Sequence, residues 1–209
     1  MRPGGIAPLC WNRIEIRFID FLLNPKRVKK LKMNSLGKDS LLTLWAIPKK
    51  EEIPLFLESK RLIDNKLKGP SFPIHMTLAG QFDLNLSKVK NLEEEIAKRI
   101  NPIEISYKGY GMKDYFFQAF YVKVDLNQDL QSIRSTICDI VKIKDEEFMP
   151  HLSLYYGKKT LEEKQFLLTE LPDIEGSFMA ETFYLVSFDP ENIEWKILNS
   201  INLGEQRHD

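Results

Sequence analysis

The stretch FMPHLSLYYG, residues Phe148 to Gly157, is echoed earlier in the chain by FPIHMTLAG, residues Phe72 to Gly80. In each, a Pro stands one or two residues before a His, a hydroxyl residue follows the His at i+2, and apolar residues fill the alternate positions. The shared pattern is His-x-(Thr/Ser)-Leu. Alternation of this kind predicts a β-strand, whose side chains point to opposite faces with period two. His75 and Thr77 then share one face, with Met76 and Leu78 on the other. His151 and Ser153 do the same, backed by Leu152 and Leu154. Each strand offers an imidazole and a hydroxyl from an apolar anchor. The chain has three histidines, and two of them hold equivalent places in two copies of one motif, 76 residues apart.

The pair His75-Met76-Thr77-Leu78 and His151-Leu152-Ser153-Leu154 resembles the signature of the two-histidine phosphoesterase superfamily. MPHLSLYYG in particular is similar to its cyclic nucleotide phosphodiesterase branch, typified by plant and fungal enzymes that open nucleoside 2′,3′-cyclic phosphates and ADP-ribose 1″,2″-cyclic phosphate. The likeness runs from about Leu41 to Leu203 and leaves out the first forty or so residues. It implies an α+β architecture of two lobes, each an antiparallel sheet flanked by helices, with the two His strands facing one cleft.

Length and charge are compatible with that expectation. At 209 residues, 43% apolar and 29% charged, the chain has the composition of one globular domain, or one domain of two lobes. Thirty basic and thirty acidic residues leave no net charge, which argues against a general polyanion binder. A small phosphate ester remains compatible. Cys10 and Cys138 cannot build a disulfide framework, so a reducing, cytoplasmic setting is expected. No apolar run approaches the ~18 residues of a membrane span. A monomer without membrane association is the expectation.

Residues Met1 to Lys38 differ from the rest, with nine basic residues against two acidic ones; their net of +7 leaves −7 for the remainder. Glu15, Arg17 and Asp20 interrupt every candidate secretory core. Other readings of this arm stay open: an organelle transit segment, a basic membrane-surface arm over Trp11 to Val28, an upstream extension with Met33 as the working start, or an ordered N-terminal helix. Residues 1–39 are expected to stand outside the fold, and residues 40–209 to form the two-lobed domain. A chain beginning at Met33 is then expected to fold and keep its activity.

Along residues 40–209 the pattern predicts a strand in LLTLWAI, a helix from Ile53 to Leu67, the His75 strand, a turn over Gln81 to Asn85 and a helix from Leu86 to Ile100. Strands follow at Ile103 to Tyr110 and Tyr115 to Val124. Then come a helix after Asn127 or Asp129, the His151 strand, a helix from Leu161 to Leu171 capped by Thr160, and strands at Phe178 to Phe188 and Ile193 to Ile201. Strand, helix, His strand, helix, strand, strand occurs twice, sharing the strand at Tyr115 to Val124. A duplicated unit predicts two lobes about a pseudo-twofold axis.

Two facing imidazoles can serve as general acid and general base, because a His titrates near ~6.5 and one of a pair can be protonated while the other is not. Hydrolysis of a cyclic phosphate needs that pair. Thr77 and Ser153 can donate hydrogen bonds to the nonbridging phosphate oxygens, although Thr and Ser are also ordinary strand formers. No metal or other cofactor is called for, and neither motif has a nearby Cys, Asp or Glu at ligand spacing. His208, in a polar tail, reads as solvated. The family resemblance implies two substrate contacts, an aromatic five residues after the second His, here Tyr156, and a base-pocket aromatic in YFFQAFY, here Phe117. A regular strand turns Tyr156 away from His151, so it reaches the cleft only if the strand ends or bulges first. YFFQAFY reads equally as plain core packing. No basic residue adjoins either motif in the sequence.

The leading expectation is hydrolysis of a small ribose-linked cyclic phosphate. Processing of RNA ends, as in 2′,5′-RNA ligase-like members, would call for an extended basic surface that residues 40–209 do not supply. A non-catalytic nucleotide-binding module is the third reading, and both intact motifs weigh against it.

Overall fold

A computed structural model of the chain describes residues 41–49, 51–82, 89–189 and 191–204. The N-terminal arm with Cys10 and Met33, most of the turn after the His75 strand, the first residues of the second predicted helix, and His208 lie outside the described residues. The elements run β1 (Leu41–Ala46), α1 (Ile53–Leu67), β2 (His75–Phe82), α2 (Val89–Arg99), β3 (Ile103–Gly111), β4 (Phe120–Val124), α3 (Gln128–Val141), β5 (His151–Tyr155), α4 (Leu161–Leu167), β6 (Glu175–Ala180), β7 (Thr182–Asp189) and β8 (Glu194–Asn202).

Local chemistry sets the helix limits. α1 opens with Pro54 in its first turn, where a missing N–H costs nothing. Its residues Ile53, Phe56, Ile63 and Leu67 are buried. α3 starts at Asn127, whose side-chain oxygen accepts the Leu130 N–H at 2.8 Å, and it ends on Lys142 in the left-handed region. At α4, Thr160 and Glu163 form a reciprocal capping box. The buried sides of all four helices join one core with Leu42, Leu44, Met76, Leu78, Leu152, Leu154, Phe183 and Leu185 from the sheet. Trp45, Ile47 and Val186 form a second, smaller cluster with Tyr184, Trp195 and Ile197. The period-two alternation of β1 therefore separates a helix-covered face from an aromatic one.

The strands form a single antiparallel sheet in the order β6-β3-β4-β5-β2-β1-β7-β8. This corrects the expectation of two separate sheets. The two His strands are neighbours at the centre, joined by the short register His75↔Ser153 and Met76↔Leu152. Two open strand edges would leave rows of unpaired N–H and C=O groups, and pairing them to each other removes the gap. Chain order and spatial order also diverge: β7 and β8 return to lie beside β1, while β3, β4 and β6 lie beyond β5.

Three boundaries differ from the sequence expectation. The predicted strand over Tyr115 to Val124 starts with a 3-10 turn at Phe116–Gln118, and only Phe120 onward is strand. The predicted strand over Phe178 to Phe188 is two, interrupted at Glu181. The last helix stops at Leu167 rather than Leu171.

α3 also braces the His75 strand, since Arg134 donates to the Leu78 carbonyl at 2.5 Å. Asn127→Ala should therefore lower stability by ~0.5–2 kcal/mol through loss of the helix cap, read as an earlier urea midpoint with an unchanged slope.

Candidate active site

The β2–β5 register decides what faces what. Residues directly opposite in an antiparallel pair share a face, so His75 lies beside Ser153. The same register carried one residue further sets Thr77 against His151. Each hydroxyl of one motif thus lies opposite the imidazole of the other, an interlock that the sequence did not disclose.

Both imidazoles are oriented alike. His75 Nδ1 lies 2.6 Å from the Pro73 carbonyl and His151 Nδ1 lies 2.9 Å from the Met149 carbonyl. In each case the acceptor is two residues upstream, so Nδ1–H donates to it and Nε2 is turned away from that carbonyl. Trp45, paired with Thr77 across β1–β2, stacks on His75 with centroids 3.5 Å apart and planes at 13°. Phe72 meets His75 edge-on at 5.7 Å, and Tyr121 tilts against His151 at 5.1 Å.

Tyr156 reaches the site by the route its position requires. Phe120 pairs with Tyr155, whereas Tyr121 pairs with Ser153, so β5 carries an extra residue and its alternation inverts. Tyr155 then turns into the core, and Tyr156 turns to the His face just past the strand end. Its hydroxyl donates to Ser153 Oγ at 2.9 Å and lies 3.1 Å from His75 Nε2. One hydroxyl proton serves one acceptor at a time, so Tyr156 can donate to a neutral His75 or accept from a protonated one. Gly69 lies beside these tyrosines because a Cβ there would come within 2.6 Å of the Tyr155 ring and 2.7 Å of the Tyr156 carbonyl.

The Tyr156 ring belongs to an aromatic group. Phe72 stacks on it at 4.1 Å, Phe117 meets it edge-on at 5.3 Å, and Trp195 lies tilted at 5.5 Å. Phe117 thus stands beside the site, in the 3-10 turn rather than in the expected strand. His75 and Ser153 are each only 1% exposed beneath this group. Burial pushes the His75 pKa down to about 3, assisted by the charges of His151 and Lys60 and opposed by the Pro73 carbonyl. Burial also lowers that of His151, where hydrogen bonds to the backbone of Met149 and Phe117 oppose the shift and Lys113 adds to it. The Tyr156 hydroxyl is pushed up by burial.

Sequence reasoning missed Trp45, Phe72 and Trp195, although Trp45 stood in a predicted strand and Phe72 opened the first motif. It also missed two lysines. Lys60 is buried on α1, with its ammonium 4.3 Å from the Phe72 ring centre and 3.0 Å from the Leu154 carbonyl. Lys113 acts on His151 from the loop after β3.

A family model described as the 2′-5′ RNA ligase superfamily matches residues 66–192, which include both His motifs. The chain belongs to this superfamily of two-histidine phosphoesterases. A cyclic phosphodiesterase of Arabidopsis thaliana is 23% identical over 154 residues, covering 73% of this chain and 84% of the relative. A protein of Staphylococcus saprophyticus named as a phosphoesterase is 25% identical over 136 residues, covering 62% and 80%. Among solved structures, TT0787 of Thermus thermophilus has a TM-score of 0.56 at 18% identity, covering 80% of this chain and 100% of that one. Escherichia coli LigT in complex with 3′-AMP also has a TM-score of 0.56, at 15% identity, with the same coverage. These two structures share the fold.

Because the folded pKa of His75 lies below its ordinary value, the unfolded chain binds a proton between pH 6.5 and about 3 that the folded chain does not. Stability should therefore fall as the pH drops through that window, by ~1.4 kcal/mol per pH unit from this group. His75→Gln should remove that share of the slope, measured by urea denaturation from pH 7 to pH 4.

Proposed function

We propose that the protein hydrolyses a small cyclic phosphodiester of the nucleoside 2′,3′-cyclic phosphate or ADP-ribose 1″,2″-cyclic phosphate type, with His75 and His151 as base and acid. The observation that carries this reading is the interlocked register, which sets two imidazoles and two hydroxyls on one face of adjacent strands. The similarity to a cyclic phosphodiesterase supports the substrate class.

His75, the imidazole held further toward its neutral form, takes the proton of an attacking water. Water oxygen bonds to phosphorus, and the bond from phosphorus to one ribose oxygen breaks. His151 delivers a proton to that oxygen, leaving a ribose phosphate monoester; for a nucleoside 2′,3′-cyclic phosphate the P–O3′ bond breaks and a 2′-phosphate remains. Thr77 and Ser153 donate to the nonbridging oxygens, whose charge grows in the pentacoordinate state. The Tyr156 hydroxyl lies within hydrogen-bond reach of both Ser153 Oγ and His75 Nε2. An entering phosphate oxygen displaces the Tyr156 hydroxyl, and the ring, with Phe117, is left to border the ribose and base.

The test is an assay on 2′,3′-cyclic nucleotides, ADP-ribose cyclic phosphate and RNA bearing a 2′,3′-cyclic end, with EDTA present. Turnover of the small esters, unaffected by EDTA, with a bell-shaped pH profile is expected; preference for the RNA end would favour end processing instead. His75→Ala and His151→Ala should each lower kcat by ~10²–10⁴-fold, and each should lose one limb of the profile. Thr77→Ala and Ser153→Ala should cost less, on the order of 10–10³-fold. The double His variant should lose far less than the product of the single losses, because the two act as a unit. Near-normal turnover by both single His variants would remove them from acid–base roles.

A further inference from the structure

Lys164 is fully buried in α4, at 0% exposure, although its neighbours in LEEKQFL are charged or exposed. It shares the buried side of that short helix with Leu167, three residues on, where an apolar residue is the ordinary occupant. Burying an ammonium is costly unless it is hydrogen-bonded and compensated. Its Nζ donates to the main-chain carbonyl of Lys113 at 2.6 Å. Burial works against its charge, and the carboxylates of Asp114 and Glu163 work for it.

That carbonyl begins a closed loop. The Lys113 N–H donates to the Gln118 carbonyl at 3.0 Å, and Gln118 N–H donates to Tyr115 at 3.1 Å. On the other side, Gly157 N–H donates to the Phe116 carbonyl at 3.2 Å. The loop is therefore pinned twice, at α4 by Lys164 and at the end of β5 by Gly157. It presents three groups to the site: the Phe117 backbone to the His151 imidazole, the Phe117 ring to Tyr156, and the Lys113 charge to His151.

We propose that Lys164 is a positioning residue: it clamps the 113–118 loop by the Lys113 carbonyl and so holds Phe117 and Lys113 against His151. It touches no reacting group. The groups around His151 are Lys113 and Phe117 from the loop, Tyr121 and Lys123 from β4, and His75 and Thr77 from β2. Tyr156 follows at the end of its own strand, and Lys60 of α1 binds the Leu154 carbonyl. Of these groups Lys164 holds only those of the loop, at the end opposite the Gly157 bond, which makes its effect separable.

The test uses the full chain with Lys164→Met and, for rescue, Lys164→Arg, which keeps a cationic donor for the carbonyl. Lys164→Gln, a neutral and shorter donor, takes the place of Lys164→Met if that variant does not fold. The imidazole NMR signals of His75 and His151 are followed against pH, assigned with the single His variants. Releasing the loop relieves the burial of His151 and withdraws Lys113, and both changes raise its pKa; the lost Phe117 contact opposes them. The expected result is a rise of the His151 pKa toward the ordinary value that exceeds any change at His75, and restoration in Lys164→Arg. An unchanged His151 titration in a folded variant, or equal shifts at both histidines, would overturn the clamp.

The kinetic arm rests on the hydrolytic reading above. It expects kcat/KM on a 2′,3′-cyclic nucleotide to fall roughly 10–100-fold, the scale of a misplaced catalytic group, with the His151 limb of the pH profile displaced. A shifted His151 signal in a protein that turns over none of the cyclic phosphates would sink the hydrolytic reading and leave the clamp standing. Unaltered turnover and pH limb beside normal wild-type activity would overturn the clamp alone.

Discussion

The short pairing of β2 with β5 is the contact on which the site depends. Two residue pairs, His75↔Ser153 and Met76↔Leu152, join the halves of the sheet. Side chains alternate with period two, so sliding one strand by a single residue would drive an imidazole into the core and lift a core residue to the site face. What forbids the slip is on the opposite face, where Met76, Leu78, Leu152 and Leu154 are all packed in the main core. The core fixes the register, and the register places each hydroxyl beside the other motif's imidazole. Helix burial and site geometry are thus one constraint seen from two sides.

Legibility followed the range of the interactions involved. The helix Ile53–Leu67 could be read to the residue because its buried stripe and its breaker, Gly69-Pro70, are local. Thr160 could be read as a cap, and Asn127 as one of two candidates beside Asp129, for the same reason. The faces of the two His strands were readable from alternation alone. The single sheet was not, because whether two strand edges meet is set by long-range closure that no window of sequence contains. The 3-10 turn at Phe116–Gln118 was hidden because YFFQAFY has the composition of a strand, and tertiary contacts decided otherwise. Tyr156 was identified by its family position, and its arrival at the site hinged on one extra residue in β5, which only the partner strand reveals. Lys60 and Lys113 could not be found from sequence distance, since neither is near either motif in the chain.

The site is buried and internally bonded. Trp45 lies against one face of the His75 ring, and the Tyr156 hydroxyl lies on its Nε2 side. Weak dielectric screening in such a place strengthens any charge that enters. The same burial that depresses both imidazoles therefore prepares a strong response to an anion. Lys60 is already engaged by Asp64 at 3.0 Å and by the Leu154 carbonyl, which leaves its charge fixed rather than free to follow a ligand.

Under the proposed chemistry this arrangement makes the substrate a participant in assigning the proton. With both pKa values lowered by burial, the pair by itself favours its neutral forms. A phosphodiester brings one negative charge next to both rings, and an adjacent opposite charge raises the pKa of an imidazole. His151 starts less deeply buried than His75 and is held by the Phe117 backbone in a way that favours its protonated form. It is the ring that takes the proton first, while His75 stays neutral and keeps its Nε2 lone pair for water. In that proposal the acid and the base are distinguished by their surroundings although their motifs are nearly the same. A neutral ester of the same shape would enter without the charge that creates the acid, and so would be bound without being turned over.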